Sequence, residues 1–309
     1  MAMLTLFTAP KPFTNTHIAV IQRNAIHSWL DLGNDVEVLL LGEEEGLSAA
    51  AKSLGVRHIS KIKCNASGTP LISALFETAR RESDSPLLAY VNADILLLPN
   101  FLSTARKTLE TNKRFLLIGQ RWDLEITSEL DFSTGWQDRL MLNCKTRGSL
   151  HKAVGSDYFI FPRECFRKIP GFAIGRAGWD NWMIYESRRQ GWKTIDATDE
   201  IHIIHQNHDY SHLPGGKPHY HLPETDENIR LAGGRRTIFM LSDANWAFNN
   251  GDIKRVKLNL NRLLREIEIF PLVSLKSICL GEVFHMILHP KKAYGAIRAL
   301  FGLNKRRQE

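Results

Sequence analysis

Cysteine is scarce in this sequence and never paired: Cys64, Cys144, Cys165 and Cys279 stand far apart, with no CxxC between them. That spacing argues against a zinc ribbon and a disulfide framework and suits a reducing compartment. Long clean apolar runs are also missing. Ile267 to Leu288 is strongly apolar, but Glu268, Lys276, Glu282 and His285 interrupt it, and a membrane-spanning helix needs roughly 20 unbroken apolar residues. Met1 to Pro10 is short and runs straight into Lys11-Pro12, which does not read as a secretory leader. There is no internal repeat, low-complexity linker or HExxH, and no nucleic-acid recognition motif accompanies the basic residues. With 43% hydrophobic and 24% charged residues, wholesale disorder is excluded. The expectation is a globular, cytoplasmic protein.

Negative charge is lacking in one part of the chain only. Residues 1 to 229 hold 25 Lys+Arg against 27 Asp+Glu, whereas residues 230 to 309 hold 15 against 6. The net charge of +7 therefore belongs to the C-terminal part. Beyond Pro290, Lys291, Lys292, Arg298, Lys305, Arg306 and Arg307 alternate with Tyr294, Ile297, Leu300 and Phe301. Such a pattern suits either an anionic membrane surface or an ordinary amphipathic helix with a solvated basic face. Nucleic acid ranks well below both.

What is present along the first hundred residues is an alternation of short apolar runs with helix-like segments, the mark of an α/β sheet with parallel strands. Met3 to Thr8, Val36 to Leu41 and Val56 to Ile59 read as strands. Asn15 to Leu32, Leu47 to Leu54 and Leu71 to Arg81 read as helices, the last capped and started by Thr69 and Pro70. Leu87 to Pro99 reads as one apolar strand with Asn92 and Asp94 in its middle. The plainer alternative ends that strand at Asn92 and makes Asp94 a turn residue. A helix follows near Phe101 to Thr111 and a strand at Arg114 to Gly119; Gln120 to Leu150 looks irregular. Later come a strand ending at Pro162, a helix from Trp179 to Gln190, and short strands at Thr194 to Ile195 and Ile201 to Ile204. We expect a catalytic body over residues 1–230 and a helical, basic region over 231–309.

A carboxylate inside an apolar strand costs several kcal/mol, roughly, unless something neutralises it. Asp94 therefore asks for a partner: a divalent cation, an Arg or Lys, or a cleft at the strand end. Asp180 sits at a helix start between Trp179 and Trp182. There it either caps the helix or accepts a proton from a substrate hydroxyl while the indoles stack on a sugar. The histidines His202, His205, His208, His212, His219 and His221 are dense, and His205, just past a strand, is the preferred metal ligand among them, ahead of His208; the alternative is that all six are polar loop residues. Asp157, Arg121 and Arg176 are lesser candidates for acceptor or phosphate contacts, equally readable as surface ion pairs.

Over roughly residues 3 to 210 the chain resembles the GT-A type glycosyltransferases. The resemblance rests on Asn92-Ala93-Asp94 standing where that family has DxD, on Gly178-Trp179-Asp180-Asn181 standing where it has an acidic catalytic motif, and on a downstream His. It implies a mixed, mainly parallel central sheet flanked by helices, and transfer of a sugar from a nucleotide-diphosphate donor to a glycan or lipid-linked acceptor at the inner membrane face. Asp94 and His205 would hold Mn²⁺ or Mg²⁺ on the diphosphate, and Asn92, in place of the first Asp, would bond a ribose hydroxyl without adding charge. Thr8, Ala9 and Pro10 would border the base, with Glu43 at the base or ribose and Asn65 to Thr69 near the nucleoside. Asp180 would be the general base of an inverting displacement, and Asp157, Trp179, Asn181 and Arg121 would face the acceptor. The alternatives are a sugar-phosphate nucleotidyltransferase, whose glycine-rich signature is missing after the first strand, and a glycan- or nucleotide-sugar-binding module without catalysis.

Overall fold

A computed structural model describes residues 1–208 and 222–291. The chain opens with β1 (Leu4–Thr8), α1 (Thr16–Leu30), β2 (Val36–Leu41), α2 (Leu47–Leu54), β3 (Arg57–Ile59), α3 (Ile72–Glu82) and β4 (Leu87–Val91). It continues through β5 (Ile95–Leu97), α4 (Asn100–Thr111), β6 (Phe115–Ile118), β7 (Trp122–Leu124), α5 (Trp136–Arg147), β8 (Ser149–Leu150) and β9 (Tyr158–Pro162). Next are α6 (Trp179–Arg189), β10 (Lys193–Asp196), β11 (Ile203–Gln206), α7 (Pro223–Ala232), β12 (Trp246–Asn249), β13 (Asp252–Arg255), α8 (Leu260–Val273) and α9 (Ile278–Leu288).

Nine strands form the main sheet in the order β13-β12-β10-β6-β9-β4-β1-β2-β3. β4, β1, β2 and β3 run parallel, as do β6, β10 and β12, while β9 is antiparallel to both β4 and β6. This is the mixed, mainly parallel, helix-flanked sheet that the resemblance implies. Every residue of β1, β4 and β9 is buried, because helices cover both faces, and strands in that position carry unbroken apolar runs.

The run Leu87 to Pro99 is two strands, not one. β4 ends at Val91 in the main sheet, and β5 belongs to a second sheet of order β5-β11-β7-β8. Asn92-Ala93-Asp94 is the link between the sheets, closed by a hydrogen bond from the Ile95 N–H to the Asn92 carbonyl at 3.1 Å. An apolar run hides such a break because both strands are buried, so the pattern of apolar residues is the same on either side of it. The segment Gln120 to Leu150, expected to be irregular, contains β7, α5 and β8, and packs Leu124, Trp136, Leu140 and Cys144 into a small second core. Thr69 does not cap α3; that helix starts after Leu71, which has no capping side chain.

The chain forms two compact units, residues 1–188 with 192–256, and residues 189–191 with the chain from Lys257. The division falls later than residue 230 because β12 and β13 extend the main sheet. The second unit holds α8 and α9, two separate helices where the sequence showed a single apolar stretch. Among the described residues no helix is long and apolar enough to cross a membrane. His212, His219, His221 and the basic stretch from Lys292 onward lie outside the described residues.

Candidate active site

Parallel strands deliver the loops after their C-terminal ends to one edge of the sheet, where open α/β folds bind ligands. Here the turns after β1, β2, β4 and β6 meet there, joined by the residues leading into antiparallel β9. They surround a cavity of about 760 Å³.

Asp94 forms part of its wall. Gln206, fully buried, fixes the backbone there: its N–H and its side-chain amide both donate to the Asp94 carbonyl at 3.2 Å. The Asp94 side chain then meets three cationic or potentially cationic groups. His208 Nε2 stands 3.0 Å from Oδ2, His205 Nε2 3.9 Å and Lys11 Nζ 3.9 Å. Burial pushes the carboxyl up, but the His208 hydrogen bond, His205 and Lys11 outweigh it and hold it well below the usual carboxylate range. Burial also lowers the Lys11 ammonium, which Asp94 partly offsets.

Asp94, His205 and His208 each offer one ligand atom, all within 4.8 Å of one another. Among the described residues Asp94 Oδ1 is buried with no hydrogen-bond partner, an oxygen a cation would satisfy. One carboxylate and two imidazoles suit Mn²⁺ and its neighbours, and a hard diphosphate would complete such a shell. Lys11, which the sequence did not single out, places its Nζ 3.1 Å from His208 Nε2 and so contributes charge to the same spot.

A second layer stands behind the His205 imidazole. His205 Nδ1 lies 3.3 Å from Asp123 Oδ1. Asp123 also accepts from His151 Nδ1 at 2.6 Å and from Arg121 Nε at 2.8 Å. Burial raises the Asp123 carboxyl, but the nearby His205 imidazole, the His151 hydrogen bond and Arg121 more than reverse this. For His205, burial lowers the imidazole while Asp123 and Asp94 raise it further, leaving it above its ordinary value. Arg121 Nη1 reaches Asp157 Oδ1 at 2.8 Å, and the Asn92 amide donates to that same oxygen at 2.8 Å. Asn92 and Arg121 are thus tied to Asp157 at the cavity wall.

Asp180 stands in the first turn of α6. Oδ1 is buried without a hydrogen-bond partner among the described residues, and a Cβ on residue 155 would come within 3.0 Å of Oδ2, so Gly155 leaves that oxygen its room. Burial raises the carboxyl, and the Asp157 charge adds to the rise against opposing backbone N–H groups at Asn181 and Gly178. Both Asp94 and Asp180 face the cavity, yet one is held ionised and the other is pushed toward protonation. Such divergence is what a site needs if one carboxylate carries charge and the other moves a proton.

The remaining expectations divide. Ala9, Pro10 and Thr69 line the cavity, whereas Thr8 lies fully buried behind it. Glu43 is exposed and off the wall; Glu44 lines it instead, and nothing in the Glu43-Glu44-Glu45 run tells which of the three turns inward. Asn65 acts through its loop: Oδ1 accepts from the N–H groups of Ser67 and Thr69, both at 2.9 Å, and Nδ2 donates to Glu224 at 2.6 Å. That carboxylate also takes Arg176 Nε at 2.7 Å. Asn181 is on the wall, but its amide donates to the Val154 and Phe239 carbonyls at 3.1 and 2.7 Å. The indoles are not open platforms. Trp179 is 6% exposed, edge-on to Tyr90 and tilted against Phe159, and Trp182, also 6% exposed, packs on Phe172. Their flanking of Asp180 reflects the burial of α6. His151 and Lys152, just past the stretch expected to be irregular, are wall residues that sequence reasoning missed.

No protein-family model matches the chain, and no curated protein matches it by sequence. Solved structures similar to it include the mannosyltransferase PcManGT from Pyrobaculum calidifontis in complex with GDP-Man and Mn²⁺, at 13% identity and a TM-score of 0.42. That match covers 65% of this chain and 56% of the other, so this chain spans under two thirds of that protein. Glucosyl-3-phosphoglycerate synthase from Mycobacterium tuberculosis, in complex with Mg²⁺ and UDP, is similar at 14% identity and a TM-score of 0.42, over 82% of this chain and 86% of the other. A mycobacterial protein matches at 14% identity and a TM-score of 0.44, over 75% of each chain.

Proposed function

We propose that the chain is a GT-A type glycosyltransferase that moves a sugar from a nucleotide-diphosphate donor to an acceptor hydroxyl with inversion at the anomeric carbon. The observation that carries this reading is the pairing, around one cavity at the ligand-binding edge of the sheet, of Asp94, held ionised beside His205 and His208, with Asp180, whose burial raises its affinity for a proton. A diphosphate leaving group needs positive charge where it departs, and an acceptor hydroxyl needs a base.

In this reading Asp94, His205 and His208 would hold Mn²⁺ or Mg²⁺, and the bound ion would neutralise the charge that develops on the departing diphosphate. Lys11 adds a cation at the same carboxylate. Asp180 takes the acceptor proton as the acceptor oxygen bonds to the anomeric carbon and the bond from that carbon to the diphosphate breaks. Ala9, Pro10, Glu44 and the loop from Ser67 to Pro70 would receive the nucleoside, and Asn92 holds Asp157 and Arg121 in place at the wall. Lys152 and Arg176 offer further positive charge for phosphate or acceptor.

For the acceptor we favour a lipid-linked or polymeric glycan. The second unit exposes Leu263, Ile267, Phe270, Val283 and Ile287 within the basic part of the chain, a composition suited to an anionic lipid surface.

The test is release of nucleoside diphosphate from a panel of UDP-, GDP-, ADP- and dTDP-linked sugars, with and without Mn²⁺, alongside thermal shifts with the same ligands. Asp94→Ala should abolish both turnover and the ligand-induced shift. A shift that Asp94→Ala leaves intact would remove Asp94 from the donor site. Binding without turnover in the parent protein would favour the non-catalytic module.

A further inference from the structure

Among the described residues, one other trio of metal-capable side chains converges, and it lies in the second unit: Glu268, His285 and His289. Its origin is helical spacing. Gly281, His285 and His289 recur every four residues along α9 and its C-terminal cap, so they share one face. That face meets α8. At Gly281 the helices approach so closely that a Cβ would collide with the Leu272 side chain. One turn further along α9, His285 faces α8 near Glu268, which is one turn before Leu272, and His289 follows.

His285 Nδ1 lies 2.6 Å and His289 Nε2 3.2 Å from the same oxygen, Glu268 Oε1. The two imidazole centroids are 4.4 Å apart. Glu268 Oε2 is taken by Arg265 Nη1 at 3.0 Å, which orients the carboxylate and leaves Oε1 to the histidines. The side chains of His285 and Glu268 are 11% and 14% exposed, whereas His289 is 37% exposed and gives access from solvent. Three donors bound at about 2.0–2.2 Å to a tetrahedral ion stand roughly 3.3 Å apart. The Glu268–His289 separation already fits, the Glu268–His285 one needs a small widening, and all three ligand atoms lie within 4.8 Å of one another. Two imidazoles and one carboxylate, with no phosphate at hand, select zinc over the harder magnesium.

We propose that Glu268, His285 and His289 form a second divalent-metal site, of the zinc class, that clips α9 to α8 and keeps its fourth position for water on the exposed side of His289. Each imidazole would offer the ion the nitrogen that now faces Glu268, in unprotonated form, with any proton on it moving to the other ring nitrogen or to water.

The full chain carrying Asp94→Asn, which impairs the cavity's ligand set, is compared by equilibrium dialysis and metal analysis with the same chain carrying His289→Gln or Glu268→Gln in addition. The expected result is about one zinc retained by the Asp94→Asn protein, a zinc-dependent rise in its unfolding temperature, and at least about a tenfold loss of zinc affinity in both double variants. Unfolding curves in EDTA show that each variant is folded before metal is added. Cobalt should give a tetrahedral visible spectrum in the first protein and lose it in the other two. Equal zinc affinity in the three proteins, or no zinc retained by the first, would overturn the site.

Discussion

At the residue scale the two carboxylates of the cavity differ in what acts on their charge. Asp94 has two imidazoles and an ammonium near it, whereas Asp180 has burial and the like charge of Asp157. A carboxyl whose folded-state pKa is raised costs stability once ionised; the cost is present above the folded pKa and vanishes below the unfolded value near 4. Asp180→Asn should therefore raise the unfolding temperature at pH 8 relative to the parent and narrow that advantage toward pH 4. In the transferase reading it should also lower kcat by about 10²–10⁴-fold. The acid limb of the parent's pH-rate profile should lie above the ordinary Asp range, and an unshifted limb would take the base role from Asp180. Asp123 makes a different kind of contribution, since it faces the far nitrogen of His205. Asp123→Asn should weaken Mn²⁺ binding by about 10–100-fold, read by calorimetry, with the nucleoside affinity in metal-free buffer unchanged.

At the element scale the site depends on how tightly β6 and β9 are joined beside Asp157. Ser156 Oγ donates to the carbonyls of Gly119 and Tyr158 at 3.2 and 2.9 Å, and a Cβ on residue 119 would sit 2.6 Å from the Tyr158 hydroxyl and 3.2 Å from the Thr198 backbone N. Tyr158 is fully buried edge-on to Phe101, so neither neighbour has room to yield. Gly119→Ala should destabilise the first unit by about 1–3 kcal/mol, measured by urea unfolding; a loss under a few tenths would show that the strand ends relax freely. This is also the scale at which the sequence was only partly legible. The β1, α1, β2, α2 order could be read because apolar runs there are bounded by Gly and Pro. The β4–β5 break could not, because Leu87 to Val91 and Ile95 to Leu97 are equally apolar and both buried, and a change of sheet leaves no trace in such a pattern. The second sheet was invisible for a related reason, since β7 and β8 are too short to show alternation. Asp94 and Asp180 were recognisable as anomalies against apolar surroundings. Lys11, Glu44 and Asp123 were not, since a charged residue in a loop looks the same in sequence whether it faces the cavity or the solvent.

At the scale of the whole molecule, charge and apolar exposure converge on the C-terminal part of the chain. Residues 230 to 309 hold 15 Lys+Arg against 6 Asp+Glu, and α8 and α9 leave Phe270 48% and Ile287 68% exposed. Water penalises that surface by about 1.5–3 kcal/mol per large side chain, and an anionic bilayer would remove the penalty while screening the basic groups. The proposed lipid-linked acceptor therefore makes a quantitative demand. The full chain should sediment with phosphatidylcholine vesicles containing phosphatidylserine and lose most of that binding as salt rises from about 0.05 to 0.5 M, where the Debye length falls from roughly 14 Å to about 4 Å. Phe270→Glu and Ile287→Glu, both at exposed positions, should each reduce the vesicle partition coefficient by about tenfold or more, since each forfeits one buried side chain and adds a like charge to the lipid. Equal recovery with pure phosphatidylcholine, or no change in either variant, would detach the acceptor proposal from the membrane while leaving the cavity chemistry to stand on donor turnover alone.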